Sequence, residues 1–526
     1  MKALLVNPYY PISETPSPPL GLAYLAGALE KAGVEVKILD FVVYPYTRHV
    51  LEASLSEFAP QILAVTSVTM TFNHAIEIIK DAKTINPDLL TVMGGPHVTF
   101  RARETLEQFP ELDIIVRGEG EKAIVAIAGE LGGNGRWENV PSIVFREDCG
   151  LRSTSDNIPV DMNYLPMPSR HLLALGRYKA LGMPITMTTS RGCPYRCIFC
   201  VGRKMGSGKV RFRNPADVAQ EFETLASLDF PQINIADDLF TANRGHCLST
   251  CQQITERGVR AAWAAFARVD SIAPSLLKAM KNAGCHTMSF GVESADPQIL
   301  KTVKKGITLE QVLSAVKMCV DAGITPHASF ILGLPGETAS TIKKTTEFAE
   351  RLKNMGASYG FHLLAPFPGT EVRERAEELG IRILTNDWTQ YHANRAIVET
   401  PGATKEMMDS VVERWEKKFM EWLGYLEKNI QSNTASKDEL WQYKKLRYCS
   451  IIYELMMSSA LEKNGMVHGI RNKVEGVQKL AEQLGGRIPF GSGEILEALD
   501  FAADQGTLTC EEKNGALKWK WKNTLP

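Results

Sequence analysis

The sequence predicts an α/β protein in which two strand-and-helix domains are followed by a helical domain. Two series of apolar strands alternate with amphipathic helices, the first over residues 1–135 and the second over residues 181–400. The pattern becomes helical and rich in Trp, Met and Lys over residues 401–526. Residues 136–180 have weak periodicity and several prolines, so we expect a linker with some structure of its own.

The first series predicts a Rossmann-like domain with a parallel sheet. Its strands are continuous runs of Val, Ile and Leu, which is typical of strands that helices cover on both faces. The expected strands are 2–7, 34–40, 62–68, 89–95 and 112–118. The expected helices are 19–33, 48–58, 72–85, about 101–108 and one that begins at Glu121. Ligands of such sheets bind outside the carboxyl ends of the strands.

The second series predicts a partial or complete (β/α) barrel. The expected strands are 185–192, 233–238, 261–269, 287–294, 325–335 and 358–370. The helices between them include 214–228, 274–283, 308–322 and 338–355. Active sites of barrels lie at the carboxyl ends of the strands, so residues at those ends are the candidates for chemistry.

The carboxyl-terminal helices leave two interpretations open. Trp415, Trp422, Tyr425 and Trp441 recur at helical spacing, which is more often core packing than a binding surface. The alternative is a lid above the mouth of the barrel, over an apolar or polycyclic substrate.

Composition and charge exclude several classes of protein. With 44% hydrophobic residues, 23% charged residues and a formal net charge of −1, the chain has no global attraction for nucleic acid or anionic membranes. No run of eighteen apolar residues predicts a transmembrane helix, and the start "MKALLVNPYYP" indicates a strand rather than a signal peptide. We therefore expect a cytoplasmic protein with reduced cysteines.

Three of the ten cysteines lie close together in "TSRGCPYRCIFC", directly after the first barrel strand. A structural zinc site needs four ligands, and no second Cys-x-x-Cys pair occurs in the chain. Three cysteines cannot all pair as disulfides among themselves, and the expected compartment is reducing. Because each iron of an iron–sulfur cube takes one protein thiolate, Cys193, Cys197 and Cys200 would hold three irons and leave the fourth open.

This C-x3-C-x2-C spacing, with Phe199 before the last cysteine, resembles the radical S-adenosylmethionine (SAM) superfamily. The resemblance implies a [4Fe–4S] cluster on the three cysteines, with SAM chelating the open iron. It also implies a 5′-deoxyadenosyl radical that abstracts a substrate hydrogen, with Phe199 against the adenine. Further SAM contacts are implied at later strand ends, although the usual Gly-Gly-Glu is absent: Asp237, Asp238, Arg268 and Glu293.

The first domain lacks the G-x-G-x-x-G of dinucleotide-binding domains. Its loops "TSVTMTF", "MGGPHVTF" and "RGEGE" resemble, in that order, the cobalamin-binding domain that precedes the barrel in one large radical SAM class. The implied cobalamin contacts are Ser67, Thr69, Gly94, Gly95, His97, Arg117, Gly118, Glu119 and Gly120.

The D-x-H-x-x-G loop, whose histidine ligates cobalt from below in methyl-carrier proteins, is absent. His74 lies on an expected helix and is interpreted as a surface or packing residue, whereas His97 could reach a corrin edge. Without a histidine below the cobalt, the resemblance favours methyl transfer to a carbon radical.

The resemblance therefore predicts a cobalamin-dependent radical SAM methyltransferase that acts on an unactivated carbon. The alternative keeps both cofactors but forms or oxidises a ring, as the anaerobic magnesium-protoporphyrin monomethyl ester cyclase does. A tRNA methylthiotransferase would need three more cluster cysteines before Cys193, where only Cys149 occurs, and a cobalamin sensor would not need the three-cysteine loop. The expected partners are a small-molecule substrate and an electron donor such as flavodoxin or ferredoxin.

Overall fold

In the computed structural model, the amino-terminal domain is built on a seven-stranded sheet. Residues 1–10, 16–147, 150–155, 159–470, 472–513 and 515–523 are described. The strands are β1 (Lys2–Asn7), β2 (Glu35–Asp40), β3 (Ile62–Thr66), β4 (Leu90–Gly94), β5 (Ile114–Val116), β6 (Ile143–Glu147) and β7 (Gly150–Ser153). Their order is β2-β1-β3-β4-β5-β6-β7; the first five run parallel, and β6 and β7 are antiparallel additions.

Five helices cover this sheet on both faces and bury an apolar cluster on each. They are α1 (Leu20–Lys31), α2 (Arg48–Phe58), α3 (Phe72–Ile85), α4 (Pro96–Gln108) and α5 (Glu121–Leu131). The parallel Rossmann-like sheet is thus as predicted, but α4 begins five residues earlier than expected. Pro96 explains the difference, because a proline is favoured in the first turn of a helix, where its missing N–H has no partner to lose.

Part of the segment expected to be a linker belongs to the first sheet. The continuous apolar run 143–145 is fully buried in β6, and β7 pairs with β6 as a hairpin at the edge of the sheet. After this hairpin, a short helix, α6 (Leu175–Ala180), leads into the second domain. The sheet therefore extends past residue 135 because two further strands complete its edge.

The second domain is a partial barrel of six parallel strands. Its strands and a flanking two-stranded hairpin are β8 (Ile185–Met187), β9 (Ser190–Arg191), β10 (Arg211–Phe212), β11 (Ile233–Ile235), β12 (Trp263–Ala267), β13 (Cys285–Glu293), β14 (Thr325–Leu332) and β15 (Ser358–Leu363). The parallel order is β15-β14-β13-β12-β11-β8, while β9 and β10 form the hairpin. Of the two barrel architectures expected, the structure shows the partial one.

The helices of this domain pack around the largest apolar core of the chain. They are α7 (Gly202–Met205), α8 (Pro215–Ser227), α9 (Arg244–Glu256), α10 (Pro274–Asn282), α11 (Pro297–Thr302), α12 (Leu309–Asp321), α13 (Ala339–Asn354) and α14 (Glu371–Glu374). A two-stranded ribbon, β16 (Arg382–Ile383) with β17 (Val398–Glu399), follows them.

The carboxyl-terminal region is helical, as predicted, and also carries a small antiparallel sheet. The helices are α15 (Lys405–Gln431), α16 (Lys437–Met457), α17 (Ala460–Asn464), α18 (Lys473–Leu484) and α19 (Ser492–Asp504). The sheet consists of β18 (Met466–His468), β19 (Leu508–Lys513) and β20 (Ala516–Trp521). Of the helices in the described part of the chain, none combines the length and apolar character needed to cross a bilayer.

Four aromatic residues of α15 and α16 are not part of this region's core. Trp415, Trp422, Tyr425 and Trp441 are 47%, 37%, 56% and 51% exposed, respectively. Core packing is therefore the wrong interpretation for these four side chains. The core is formed instead by α16, α18, α19 and the sheet, together with side chains of α6.

Candidate active site

A cleft lies between the first sheet and the partial barrel. It has about 1140 Å³ of empty space, its open mouth included. The first domain contributes the carboxyl ends of β3, β4 and β5, as expected for a Rossmann-like sheet. The barrel contributes Arg191 and Gly192 at the start of the cysteine loop, Gly206 after α7, and Asp238 after β11. The loops assigned from sequence to two different cofactors thus face one shared space.

Five of the predicted cobalamin-binding residues line this cleft: Gly94, Gly95, Gly118, Glu119 and Gly120. Gly95 has φ +111° and ψ 173°, a backbone conformation that is essentially restricted to glycine. A Cβ atom there would lie 2.5 Å from the carbonyl oxygen of Ser67. The missing side chain therefore lets the loops after β3 and β4 pack closely at the cleft edge.

The rest of the cleft wall is largely apolar. The side chains come from the strands and from α1 and α5, with Leu22, Leu25, Val65, Val92 and Ile124 among them. Such a wall suits a large ligand that offers apolar as well as polar surface.

Three other predicted cobalamin contacts shape the loops without lining the cleft. Ser67 is fully buried and its N–H donates to the Gly94 carbonyl at 2.8 Å, while Thr69 is buried in the next turn. The Arg117 guanidinium donates to the Thr154 carbonyl at 2.9 Å, which ties the loop after β5 to the edge hairpin. These three residues position the cleft loops from behind.

His97 lies outside the cleft lining, so its predicted contact with the corrin is not supported. Its ring stacks on Phe72 at 4.2 Å and meets Trp388 edge-on at 4.9 Å, and the residue is 1% exposed. Burial, and then the nearby Arg101 and Arg373, lower the pKa of His97 to about 3. The imidazole is therefore neutral at physiological pH and packs between α3, α4 and the segment after the barrel. His74, in contrast, is a surface residue, as expected.

Glutamates of the "RGEGE" loop hold the hairpin of the second domain. Glu119 accepts hydrogen bonds from Arg211 and from the Val160 N–H, each at 3.0 Å. Burial alone would raise the pKa of Glu119, but these hydrogen bonds hold this pKa below its usual value. Glu121 pairs with Arg191 at 2.7 Å, and the Arg191 guanidinium also lies 5.1 Å from the centre of the Tyr24 ring. The loop thus lines the cleft and, through its two carboxylates, also contacts the hairpin of the second domain.

The three cysteines of the loop after β9 are free thiols that influence one another electrostatically. Burial is the main cause that raises the pKa of Cys193 and Cys197. The Gly202 N–H approaches the Cys200 sulfur at 3.3 Å. Among the described residues, no group of three His, Cys, Asp or Glu is arranged around a single metal ion, whereas three separate soft donors suit a multi-iron cluster. Cys149 lies outside the described residues.

Asp237 acts behind the cysteine loop, so the structure does not support its predicted contact with SAM. Its two carboxylate oxygens accept four hydrogen bonds, from the N–H and hydroxyl groups of Thr189 and Ser190, at 2.6–3.0 Å. Asp238 points the other way: it accepts a hydrogen bond from the Gly192 N–H at 2.9 Å and lines the cleft. Together the two carboxylates fix the start of the cysteine loop.

Arg268 and Glu293 lie beside the cysteine loop, as their strand-end positions predicted. The Arg268 guanidinium pairs with Asp270 at 2.9 Å and stacks 3.6 Å from the centre of the Tyr195 ring. Glu293 pairs with the buried Lys305 at 2.5 Å. Its φ of +70° is strained for a residue with a side chain, and such strain is concentrated at functional sites.

Phe199 is half-buried and packs against an apolar cluster that includes Ile198, Ile299 and Leu334. One face of the cysteine loop is therefore anchored in the barrel core. The other face, with Cys200, is exposed.

Comparison with known proteins identifies both domains. Residues 13–128 match the B12 binding domain, and residues 187–349 match the radical SAM superfamily. An uncharacterized methyltransferase of Pyrococcus horikoshii is 33% identical over 422 residues, which cover 79% of this chain and 91% of that protein. The chain belongs to the cobalamin-binding radical SAM family. Its cofactors are accordingly cobalamin, a [4Fe–4S] cluster and SAM, and it is an enzyme.

A second relative of this radical SAM enzyme has a different named activity. The anaerobic magnesium-protoporphyrin IX monomethyl ester cyclase of Rubrivivax gelatinosus is 28% identical over 437 residues, which cover 80% of this chain and 78% of that protein. Both reactions predicted from sequence are thus represented among the relatives.

Two solved structures share the fold of this radical SAM enzyme. The cobalamin-dependent SAM radical enzyme OxsB, with aqua-cobalamin and SAM bound, matches 96% of this chain and 78% of its own with a TM-score of 0.67 at 19% identity. The methyltransferase TsrM of Kitasatospora setae, with cobalamin and a [4Fe–4S] cluster bound, matches 76% of this chain and 88% of its own with a TM-score of 0.63 at 21% identity. These likenesses confirm the predicted fold class.

Sequence reasoning missed several residues that line the cleft of this enzyme. Arg191 and Gly192 directly precede Cys193. Their position directly beside a recognised motif is the signal that could have identified them. Met205 and Gly206 follow the cysteine loop by several residues, and only the close approach of Gly206 to Gly192 brings them to the cleft.

Proposed function

We propose that this enzyme transfers a methyl group to an unactivated carbon of a small-molecule substrate. The observation that carries the proposal is the shared cleft: Gly192 and Asp238 of the barrel line the same space as Gly94 and Gly120 of the cobalamin domain. When bound, SAM on the cluster supplies a 5′-deoxyadenosyl radical and cobalamin supplies the methyl group. A cleft common to both domains allows both cofactors to reach the same substrate carbon.

The cluster ligands in this proposal are the three free thiols, Cys193, Cys197 and Cys200. The donor set fits, because soft thiolates are the ligands that iron–sulfur clusters take from proteins. Asp237 and Asp238 position this loop through the hydrogen bonds of Thr189, Ser190 and Gly192, and Asp238 is in addition the carboxylate on the cleft side.

The SAM contacts in this proposal are Phe199, Asp238, Arg268 and Glu293, which surround the cysteine loop. Phe199 offers an aromatic ring anchored in the barrel core. Arg268 is held in place by the Lys305 carbonyl at 2.9 Å as well as by Asp270, so its guanidinium is oriented before any ligand binds.

The cobalamin contacts in this proposal are the backbone at Gly94, Gly95, Gly118 and Gly120 and the apolar wall beneath it. The fit rests on the glycine conformations, since Gly95 and Gly118 have φ values of +111° and +70°. No histidine takes part, because His97 is buried in aromatic packing outside the cleft.

Several finer assignments complete the proposal. The enzyme acts in the cytoplasm, takes electrons from a flavodoxin or ferredoxin, and binds an apolar or polycyclic substrate, with no role for nucleic acid. The exposed Trp415 and Trp422 of α15 support the substrate assignment, because an aromatic surface suits such a molecule.

A radical ring-forming reaction of the cyclase type is the second candidate. It is favoured by the 28% identity to the magnesium-protoporphyrin monomethyl ester cyclase over most of both chains. The two candidates differ in the fate of the SAM methyl group, because only methyl transfer converts SAM to S-adenosylhomocysteine.

The test is anaerobic incubation of the reconstituted enzyme with methyl-labelled SAM, hydroxocobalamin and a strong reductant, followed by addition of an extract of small metabolites. Methyl transfer predicts S-adenosylhomocysteine and 5′-deoxyadenosine together, with label in a metabolite. Production of 5′-deoxyadenosine without S-adenosylhomocysteine would refute methylation and support the second candidate. The Cys193→Ala variant is the control for background cleavage of SAM.

A further inference from the structure

The inner face of the partial barrel is not filled by its own side chains. On the outer face, Phe290, Phe330 and Phe361 pack with the surrounding helices into the largest core of the chain. Because side chains alternate along a strand, the residues between these positions point to the inside of the barrel. Complete barrels fill this space with layers of branched apolar side chains. In this chain the inward positions of β13, β14 and β15 are mainly Ser, Gly and His and are half-buried or exposed, which leaves room for a ligand.

One row of inward-facing residues crosses four neighbouring strands. Phe266 of β12 pairs with Ser289 of β13, which in turn pairs with His327 of β14. His327 pairs with Ser358 of β15 at the edge of the sheet. Phe266 is 54% exposed, although large aromatic side chains on barrel strands are usually packed. The row begins two residues, about 7 Å, before Arg268, so it lies directly below the SAM contacts proposed above.

The imidazole of His327 is held in a fixed orientation on this face. Its Nδ1 atom lies 2.9 Å from the Ser358 hydroxyl oxygen. A Cβ atom on Gly360 would meet the ring at 3.6–3.7 Å, so the ring borders the space above this glycine. Among the described residues, Nε2 has no hydrogen-bond partner, and this atom is not sealed from solvent. One ring nitrogen is therefore engaged by the barrel, and the other is accessible to a ligand.

A second imidazole lies close to the first. His362 follows Gly360 by two residues on β15, so it points to the same inner face, and it is exposed. Burial, and then the neighbouring His362, lower the pKa of His327. The two rings thus lie near enough to influence each other at the open edge of the sheet.

No carboxylate of the described residues balances these two imidazoles. The histidines that pair with a carboxylate in that part of the chain are others, on the surface. The charged side chains at this end of the barrel already have partners, since Arg268 pairs with Asp270 and Lys305 pairs with Glu293. An anionic oxygen group is the ligand that two such rings attract, because it accepts their N–H groups and favours their protonation.

We propose that the inner face at Phe266, His327 and His362 is the substrate-binding subsite of this enzyme, and that it takes an aromatic or polycyclic molecule carrying a carboxylate or phosphate. The ring system packs on Phe266, and the anionic group accepts hydrogen bonds from His327 Nε2 and from His362. Phe266 and His327 are two strands apart, about 10 Å, a distance that two fused rings with an acidic substituent span. The inference rests on the proposed function in that the substrate is a small molecule bound near SAM.

The test compares two probes of the same shape and different charge, 2-naphthoate and 2-naphthamide. Each is titrated anaerobically into the full-length protein with cluster, SAM and hydroxocobalamin bound and no reductant added, and binding is followed by NMR relaxation of the probe. Charge-assisted hydrogen bonds predict that 2-naphthoate binds at least about tenfold more tightly than the amide. A third probe, 2-naphthyl phosphate, shows which of the two anionic groups the subsite prefers. Equal affinity for all three probes overturns the proposal.

Two variants separate recognition of charge from recognition of the ring system. His327→Gln retains a polar side chain, so it should weaken 2-naphthoate roughly tenfold and 2-naphthamide by no more than about twofold. Phe266→Ala should weaken both probes alike, by about three- to tenfold. His286→Gln is the matched control: this histidine also lies on β13, but it falls in the bulge between Cys285 and Thr287 and outside the row. It should bind both probes as wild type does.

The affinity for SAM, measured on the same proteins, excludes a role in the neighbouring site. If His327→Gln weakens SAM as much as 2-naphthoate, the residue belongs to the SAM site and the proposal is overturned. Unchanged 2-naphthoate affinity in both His327→Gln and His362→Gln overturns it equally, and melting temperatures verify that the variants are folded. Methylation of a metabolite without selectivity for the anionic probes would refute this subsite alone, whereas selectivity without S-adenosylhomocysteine would refute methyl transfer alone.

Discussion

Replacing Gly95 by alanine is expected to distort the cobalamin cleft and to weaken cobalamin binding. With φ +111° and ψ 173°, an alanine at this position would cost about 1–3 kcal/mol in backbone strain alone. Its Cβ atom would also lie 2.5 Å from the carbonyl oxygen and 2.9 Å from the nitrogen of Ser67. The loops after β3 and β4 would have to separate by roughly 0.5–1 Å to relieve this overlap.

That separation would stretch two backbone hydrogen bonds. The Ser67 N–H donates to Gly94 at 2.8 Å, and the His97 N–H donates to Ser67 at 3.3 Å. With about 1 kcal/mol for each weakened bond added to the backbone strain, the free energy of the folded loop conformation rises by about 3–5 kcal/mol. If binding must restore that conformation, the dissociation constant for hydroxocobalamin increases at least about tenfold.

The assay combines an absorbance titration with hydrogen exchange of the segments 62–71 and 90–100. We expect weaker binding and faster exchange of the Ser67 and His97 amides in Gly95→Ala. The control is Gly129→Ala on α5, where a Cβ atom meets nothing within 4 Å and the alanine should stabilise the helix by about 0.5–1 kcal/mol. A Gly95→Ala protein with wild-type affinity and wild-type exchange would refute the reasoning.

Three further predictions concern the barrel. Cys193→Ala should abolish the visible absorption of the reconstituted cluster and lower its iron content, while hydroxocobalamin affinity stays within about threefold, since the cleft loops remain. Asp237→Asn should lose two of the four charge-assisted hydrogen bonds, which lowers the stability of the cysteine loop by about 3 kcal/mol. This variant should therefore release iron to a chelator faster than the control Cys449→Ala, whose substitution is distant from the loop. Burial raises the pKa of Glu337 to about 7 from 4.5, so its contribution to stability is present at low pH and is lost as the pH rises through 7. Between pH 5 and pH 8, the urea midpoint of wild type should therefore decrease by an amount corresponding to about 3 kcal/mol of unfolding free energy, and Glu337→Gln should not show this part of the decrease. An equal dependence of the midpoint on pH in both proteins would contradict the assignment.

Sequence patterns predicted the helices and strands whose formation depends on residues close together in the chain. The helices 48–58 and 72–85 have the expected bounds, because their apolar periodicity is uninterrupted. The edge hairpin of β6 and β7 was missed, since its pairing with β5 is a tertiary contact and its strands are short. The exposure of Trp415 was missed for a related reason: periodicity shows which residues share a helix face but not whether another element covers it.

The sequence predicted those residues of the candidate site that lie in recognisable motifs. Gly94, Gly95 and Gly120 were identified because their loops resemble those of the cobalamin-binding domain, and all three line the cleft. The pairing of Glu121 with Arg191 joins residues 70 positions apart in different domains, and no local pattern encodes it. The sequence could not show that His97 stacks on Phe72, because a histidine near a ligand loop looks alike in sequence whether it faces the cleft or an aromatic stack.

The "ADD" sequence after β11 shows how two identical neighbours acquire different roles. Consecutive side chains of an extended segment point to opposite sides, so Asp237 and Asp238 cannot share one environment. Asp237 is fully enclosed by donors of Thr189 and Ser190, and no part of its carboxylate remains for a ligand. One carboxylate oxygen of Asp238 accepts a hydrogen bond from the Gly192 N–H, and the residue lines the cleft. The start of the cysteine loop is thereby fixed from both sides before either cofactor binds.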